Sequence, residues 1–162
     1  MLQEVTGDIL HSKSALIAHG VAPNDDHATG LALALREHAP AMYKDFRHYC
    51  KTQHPKSGSL WTWAGGDGRR IAAVFTQEPA YHPGERPGKA TVANLNHALR
   101  ELRNFIEQEK VTSVALPKLA TGAGGLHWQD VRPAIEKHLG SLSIPVYVYS
   151  TYHAGQVASE AA

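Results

Sequence analysis

The chain has 162 residues, 43% hydrophobic and 19% charged, which suits one domain with a sizeable core. Sixteen Lys and Arg against 15 Asp and Glu leave a net charge of +1, so composition announces neither a nucleic-acid groove nor a membrane surface. Cys50 has no second cysteine to pair with, Glu4 and Asp8 stand where a signal peptide would be apolar, and no stretch approaches a membrane span, so a cytoplasmic, monomeric protein is expected.

In chain order, Leu2 to Val5 and Ala15 to His19 read as strands. Leu31 to His38 is helical in period, and the pattern resumes after Pro40 from Met42 to Cys50. Leu60 to Trp63 and Ile71 to Phe75 read as strands joined by the turn Gly65-Gly66-Asp67-Gly68. Leu95, Leu99, Leu102 and Ile106 mark a helix, with Thr91 at its N-cap position. Val111 to Leu116 is a further strand, Trp128 to Leu139 a helix with Trp128, Val131, Ile135 and Leu139 on one face, and Ile144 to Tyr149 the last strand. Alternating strands and helices imply parallel crossovers, hence an α/β chain in three α/β/α layers around a six-stranded mixed sheet. One domain over residues 1–152 is expected, with the Ala/Gly/Ser-rich residues 153–162 as a flexible tail.

Ligands in such sheets sit beyond the carboxyl ends of the strands, so the loops there are the candidate site. After the first strand, the Asp8 carboxylate could accept a hydrogen bond from an amino group such as that of adenine, with Ile9 as an apolar wall; a turn or helix cap is the alternative. The polar loop from His19 to Gly30 leads into a helix amino terminus, a setting for a sugar and a phosphate, where Asn24, Asp25, Asp26 and His27 offer hydrogen bonds. Three consecutive residues do not converge on one ion without a sharp turn, and no metal site is expected. Thr76 to Lys89 is a proline- and glycine-rich crossover long enough to fold over a pocket. The run Leu116-Pro117-Lys118-Leu119-Ala120-Thr121-Gly122-Ala123-Gly124-Gly125-Leu126-His127-Trp128 is a glycine-rich strand-to-helix loop, able to turn several N–H groups toward one anion or else merely to turn a corner. Tyr152 beyond the last strand could stack on a base or simply pack.

Taken together these pieces resemble the macrodomain family of ADP-ribose-binding domains, over nearly the whole chain. The resemblance is closest to the branch containing the terminal ADP-ribose glycohydrolases and the antitoxins that remove ADP-ribose from DNA. It is carried by Leu116-Pro117 and Leu119, by Gly122, by Gly124-Gly125-Leu126, and by Trp128 with Asp130-Val131. The resemblance implies that Asp8 and Ile9 meet the adenine. It further implies that His19, Gly20, Asn24, Thr29 and Gly30 belong to the ribose-side loop, and that Leu119, Thr121, Gly122, Ala123, Gly124, Gly125 and Leu126 line the diphosphate and distal ribose. The branch's catalytic lysine, just after the fourth strand, falls within Thr76-Gln77-Glu78, which contains none; Ala28-Thr29-Gly30 stands in place of the usual glycine pair. Lys89, beyond an insertion, and Lys118, at a variable family position, are the substitutes at hand. The implied activity is hydrolysis of an ADP-ribosyl linkage on a modified protein or nucleic acid, with Asp25, Asp26, His27 and Glu78 as general-base candidates and no cofactor. The alternatives are a phosphatase acting on ADP-ribose 1''-phosphate and a reader that binds ADP-ribose without chemistry. A dinucleotide-dependent oxidoreductase is disfavoured because no strand is followed by Gly-x-Gly-x-x-Gly.

Overall fold

The computed structural model describes residues 1–80, 82 and 85–160. Tyr81, Pro83 and Gly84 of the long crossover, and the last two alanines, lie outside the described residues. Strands β1 (Leu2–Gly7), β2 (Leu16–Val21), β3 (Leu60–Ala64), β4 (Arg70–Phe75), β5 (Val114–Pro117) and β6 (Val146–Tyr152) form one sheet in the order β1-β6-β5-β2-β4-β3. All neighbours are parallel except β3 and β4, the expected hairpin, so the sheet is mixed as its pattern predicted. Gly68, at φ +86, closes the hairpin turn by donating to the Gly65 carbonyl at 3.1 Å.

Helices α1 (Gly30–His38) and α2 (Pro40–Gln53) cover one face, and α3 (Val92–Gln108) and α4 (Trp128–Leu139) the other. Side chains alternate between the two faces of each strand. Leu16 and Ala18 of β2 therefore meet α3 and α4 together with Ala72, Val74, Val114, Leu116, Val146 and Val148. Val21, Ile71, Ala73 and Phe75 face the other way and pack on Leu35, Met42 and Phe46. The predicted α3 stripe, Leu95, Leu99, Leu102 and Ile106, is buried in full, each leucine contributing about 1.5–3 kcal/mol.

Strand ends moved outward from where propensity put them. β1 runs on to Gly7, β2 through Gly20 to Val21, and β6 to Tyr152, because each is held by a ladder: Gly7 pairs with Tyr152 and Gly20 with Val74. Glycine is a poor strand former alone, but neighbouring backbones supply its hydrogen bonds here. β5 begins at Val114 rather than Val111, where its pairing with β6 begins.

Residues 153–160, expected as a flexible tail, are hydrogen-bonded to the domain in the structure. Gly155 N–H donates to Asp8 Oδ2 at 2.9 Å and Asp8 N–H to the Gln156 carbonyl at 2.8 Å. Glu160 accepts from the Lys13 N–H and from the hydroxyls of Ser12, Ser14 and Tyr149. This segment, through Ala158, and the one-turn 3-10 helix Ile9–His11, through Ile9, pack with Val5, Ile17, Ala115, Tyr147 and Tyr149, a part of the sheet that α1 touches only through Leu31.

Candidate functional site

Because β1, β6, β5, β2 and β4 are parallel, their carboxyl ends lie at one edge, where the loops expected to carry the chemistry emerge. Gly20 joins two of them: a β-carbon built there would lie 2.9 Å from Thr76 Oγ1 and 3.6 Å from the Ala120 nitrogen. So small a residue lets the end of β2 sit directly between the end of β4 and the glycine-rich loop.

That loop is folded on itself. Leu126 N–H donates to the Ala120 carbonyl at 2.9 Å, Gly125 N–H to the Gly122 carbonyl at 3.1 Å and Thr121 Oγ1 to the Lys118 carbonyl at 2.8 Å. Ala120 and Gly125 adopt positive φ, at 63° and 78°. Gly124 is buried, and a β-carbon on it would stand 2.6 Å from the Ala120 carbonyl oxygen, so no other residue fits there. Among the described residues, the successive N–H groups of Gly122, Ala123 and Gly124 have no acceptor within the protein. Consecutive unpaired N–H groups ahead of the α4 amino terminus form a concavity suited to an anion. Leu119 is buried below the loop, and Leu126 is half-buried beside it.

The 22–30 loop is built from Asx turns. Asp25 Oδ1 accepts from the His27 N–H at 2.7 Å and Asp26 Oδ1 from the Ala28 N–H at 3.2 Å, while Arg36 holds the Asp26 carbonyl at 3.1 Å. Asn24, His27 and Gly30 have positive φ, and Thr29 and Gly30 at the start of α1 are exposed. Here the structure separates residues that the sequence had grouped. His27 is 0% exposed, its ring packed on Tyr43 and Phe46 and edge-on to His19, so it lies away from solvent. His19, 2% exposed, points to the same face. Burial, reinforced by nearby His27, pushes the His19 imidazole down to about 3, and burial also lowers His27 against the pull of Asp25. His19 Nε2, His27 Nε2 and Thr76 Oγ1 are buried with no partner among the described residues. The Asp25 side chain is 14% exposed, with Oδ1 turned toward His27, and Asp26 is exposed; Oδ2 of each has no hydrogen-bond partner among the described residues.

Glu78 is otherwise occupied. Its Oε1 accepts from Asn94 Nδ2 at 3.0 Å and its Oε2 from Ser57 Oγ at 3.2 Å. Asp8 is 6% exposed and serves as cap to the 3-10 turn, Oδ1 accepting from the Leu10 N–H at 3.1 Å, while Oδ2 holds Gly155. The cap alternative describes this geometry. Ile9 is buried at its side and Tyr152 is 69% exposed. Thr76, the first residue of the expected crossover, lies beside Gly20 at the end of β2, and the bond from Gly155 to Asp8 was not anticipated. A segment of small residues carries no sequence signal of such a contact. No group of three or more metal-ligating side chains occurs among the described residues, and no helix is long and apolar enough to cross a membrane.

The macro domain family model matches residues 18–135. The DNA ADP-ribosyl glycohydrolase of Thermus aquaticus is 26% identical over 153 residues, covering 92% of this chain and 41% of that protein. Human ADP-ribose glycohydrolase OARD1 is 24% identical, covering 90% of this chain and 89% of that protein. The solved macrodomain of Thermus aquaticus DarG superposes with a TM-score of 0.80 at 25% identity, covering 93% of this chain and 98% of that one. The chain thus spans about two fifths of the length of the Thermus relative and nearly all of its macrodomain. A family match over most of the sequence, with a fold like that macrodomain's, leads to one conclusion: the chain belongs to the macro domain family.

Proposed function

We propose that this macrodomain binds ADP-ribose across the carboxyl edge of its sheet and hydrolyses the bond between ADP-ribose and a modified macromolecule. The observation that carries the reading is the row of unpaired N–H groups at Gly122, Ala123 and Gly124, a ready acceptor site for a diphosphate. Relatives named for ADP-ribosyl glycohydrolase activity support the reaction class. Asp25 and Asp26 are the proposed bases that activate water, since His27 is enclosed by aromatic rings and both Glu78 oxygens accept hydrogen bonds. Action as a monomer in the cytoplasm is part of this reading, the location in accord with the lone buried Cys50.

A groove of about 600 Å³ beside the 22–30 loop sets Arg47 and Lys51 among mostly apolar lining that includes Pro23, Cys50, Pro55 and Pro79, and those two cations favour a nucleic-acid strand over a protein as carrier of the modification. The test is calorimetry with ADP-ribose and with AMP, followed by incubation with ADP-ribosylated DNA and ADP-ribosylated protein. ADP-ribose should bind at least tenfold more tightly than AMP, which lacks the second phosphate and distal ribose. Gly122→Glu should abolish that advantage, since a side chain there meets nothing within 4 Å and leaves the loop intact while adding like charge. Release of ADP-ribose from DNA and its loss in Asp25→Asn or Asp26→Asn would establish the hydrolase. Tight binding with no turnover of either carrier would make the domain a reader, and equal affinity for ADP-ribose and AMP would remove the diphosphate site.

A further inference from the structure

The crossover between β4 and α3 ends by laying a lysine on the glycine-rich loop. Its return is pinned from both sides. Glu78 N–H donates to the Lys89 carbonyl at 3.1 Å, Gly88 N–H to the Glu78 carbonyl at 2.8 Å and Gln77 Nε2 to the Gly88 carbonyl at 3.1 Å, which ties residues 88–89 to the end of β4. On the other side Ala90 N–H donates to the Gly124 carbonyl at 2.9 Å. Gly88 makes this approach possible, because a β-carbon on it would lie 3.0 Å from the Glu78 β-carbon. With the backbone fixed in this way, the Lys89 side chain extends over Gly125: a β-carbon built on that glycine would meet Lys89 Cδ at 3.5 Å and Nζ at 3.7 Å. Lys89 is exposed, and among the described residues no carboxylate lies within ion-pairing distance of it.

An exposed lysine would ordinarily extend into water, where its ammonium is best hydrated and its rotamers are free. Here the ammonium stands beside Gly125, next to the N–H groups of Gly122, Ala123 and Gly124 that have no acceptor among the described residues. Those groups and the ammonium share a sign of charge, so the arrangement repels itself when empty and is relieved by an anion seated between them. Backbone N–H groups fix the position of such an anion, and a flexible ammonium then closes on it from the side of the crossover.

We infer that Lys89 is a phosphate-binding residue of this site, closing over the ligand's diphosphate from the side opposite the Gly122–Gly124 N–H groups. This rests on the ADP-ribose reading above. It assigns a role to the end of the Thr76–Lys89 crossover, which thereby becomes one wall of the site. It also explains the order Gly88-Lys89: the glycine permits the close backbone contact, and the next residue carries the charge.

Lys89→Ala and Lys89→Arg, compared with the parent by calorimetry with ADP-ribose and with AMP at low and at physiological salt, test the inference. Lys89→Ala should weaken ADP-ribose about tenfold and AMP less than twofold, and should flatten the salt dependence of ADP-ribose binding. Lys89→Arg should stay within about threefold of the parent, since the charge is kept. An unchanged ADP-ribose affinity in Lys89→Ala, or an equal loss for ADP-ribose and AMP, would overturn the inference, the latter because a misplaced loop disturbs both ligands alike. If the parent itself binds no ADP-ribose, the broader reading falls and this one with it; if the parent binds and Lys89→Ala matches it, only the role of Lys89 falls.

Discussion

Single residues set the site's chemistry less by their type than by the direction in which the fold turns them. His19 and His27 share a polar loop sequence with Asp25 and Asp26, yet the structure buries both rings in an aromatic cluster. Their folded pKa values lie below the unfolded value of 6.5, so both stay neutral at pH 7 while the unfolded chain takes up protons as pH falls. The sign follows from linkage: their contribution is fully present above pH 6.5 and is lost as pH drops from there toward about 3, the folded value of His19. For His19 the loss is roughly 1.4 kcal/mol per pH unit. Urea denaturation at pH 7, 6 and 5 should show His19→Gln losing about 2 kcal/mol less than the parent between pH 6.5 and 5. Parallel pH curves for the two proteins would show that His19 does not titrate on unfolding.

At the scale of elements, short connections couple the helices to the site. Thr91 caps α3, its Oγ1 accepting from the Asn94 N–H at 3.0 Å, and its own N–H donates to the Thr76 carbonyl at 3.3 Å. Asn94 in turn holds Glu78. The first turn of α3 is thus fastened to the segment leaving β4. Thr91→Ala should cost about 1 kcal/mol, the usual loss for a hydroxyl cap, read as a lower denaturation midpoint with an unchanged slope. A midpoint equal to the parent's would mean that the fastening through Thr76 and Asn94 suffices without the cap. The cap was legible from threonine preceding an apolar stripe; the partner of Asn94 was not, because Glu78 and Asn94 are separated by the whole crossover.

Across the whole molecule, the two ends of the chain are joined. The terminal segment reaches back to the start, where Glu160 gathers Ser12, Ser14, Lys13 and Tyr149 and Gly155 reaches Asp8. Burial, and then the hydrogen bond to Glu160, push the Tyr149 phenol above its ordinary range. Glu160→Ala leaves that phenol and two serine hydroxyls without their acceptor and should lower the unfolding free energy by about 1–3 kcal/mol. It should also speed amide exchange at Gly155 and Asp8, whereas unaltered stability and exchange would show the segment to be detached in solution. The sequence by itself determined the six strands, the four helices, their alternation and the glycine-rich loop, because these rest on local periodicity and on residues that only certain backbone conformations accept. The tertiary structure alone decided that His19 and His27 are enclosed while Asp26 is exposed, that Glu78 is held by Asn94 and Ser57, that Lys89 returns onto Gly125, and that Gly155 and Gln156 are tied to Asp8. Each of these depends on contacts between residues far apart in the chain, and those distances are set by the order in which the strands assemble rather than by any pattern along the sequence.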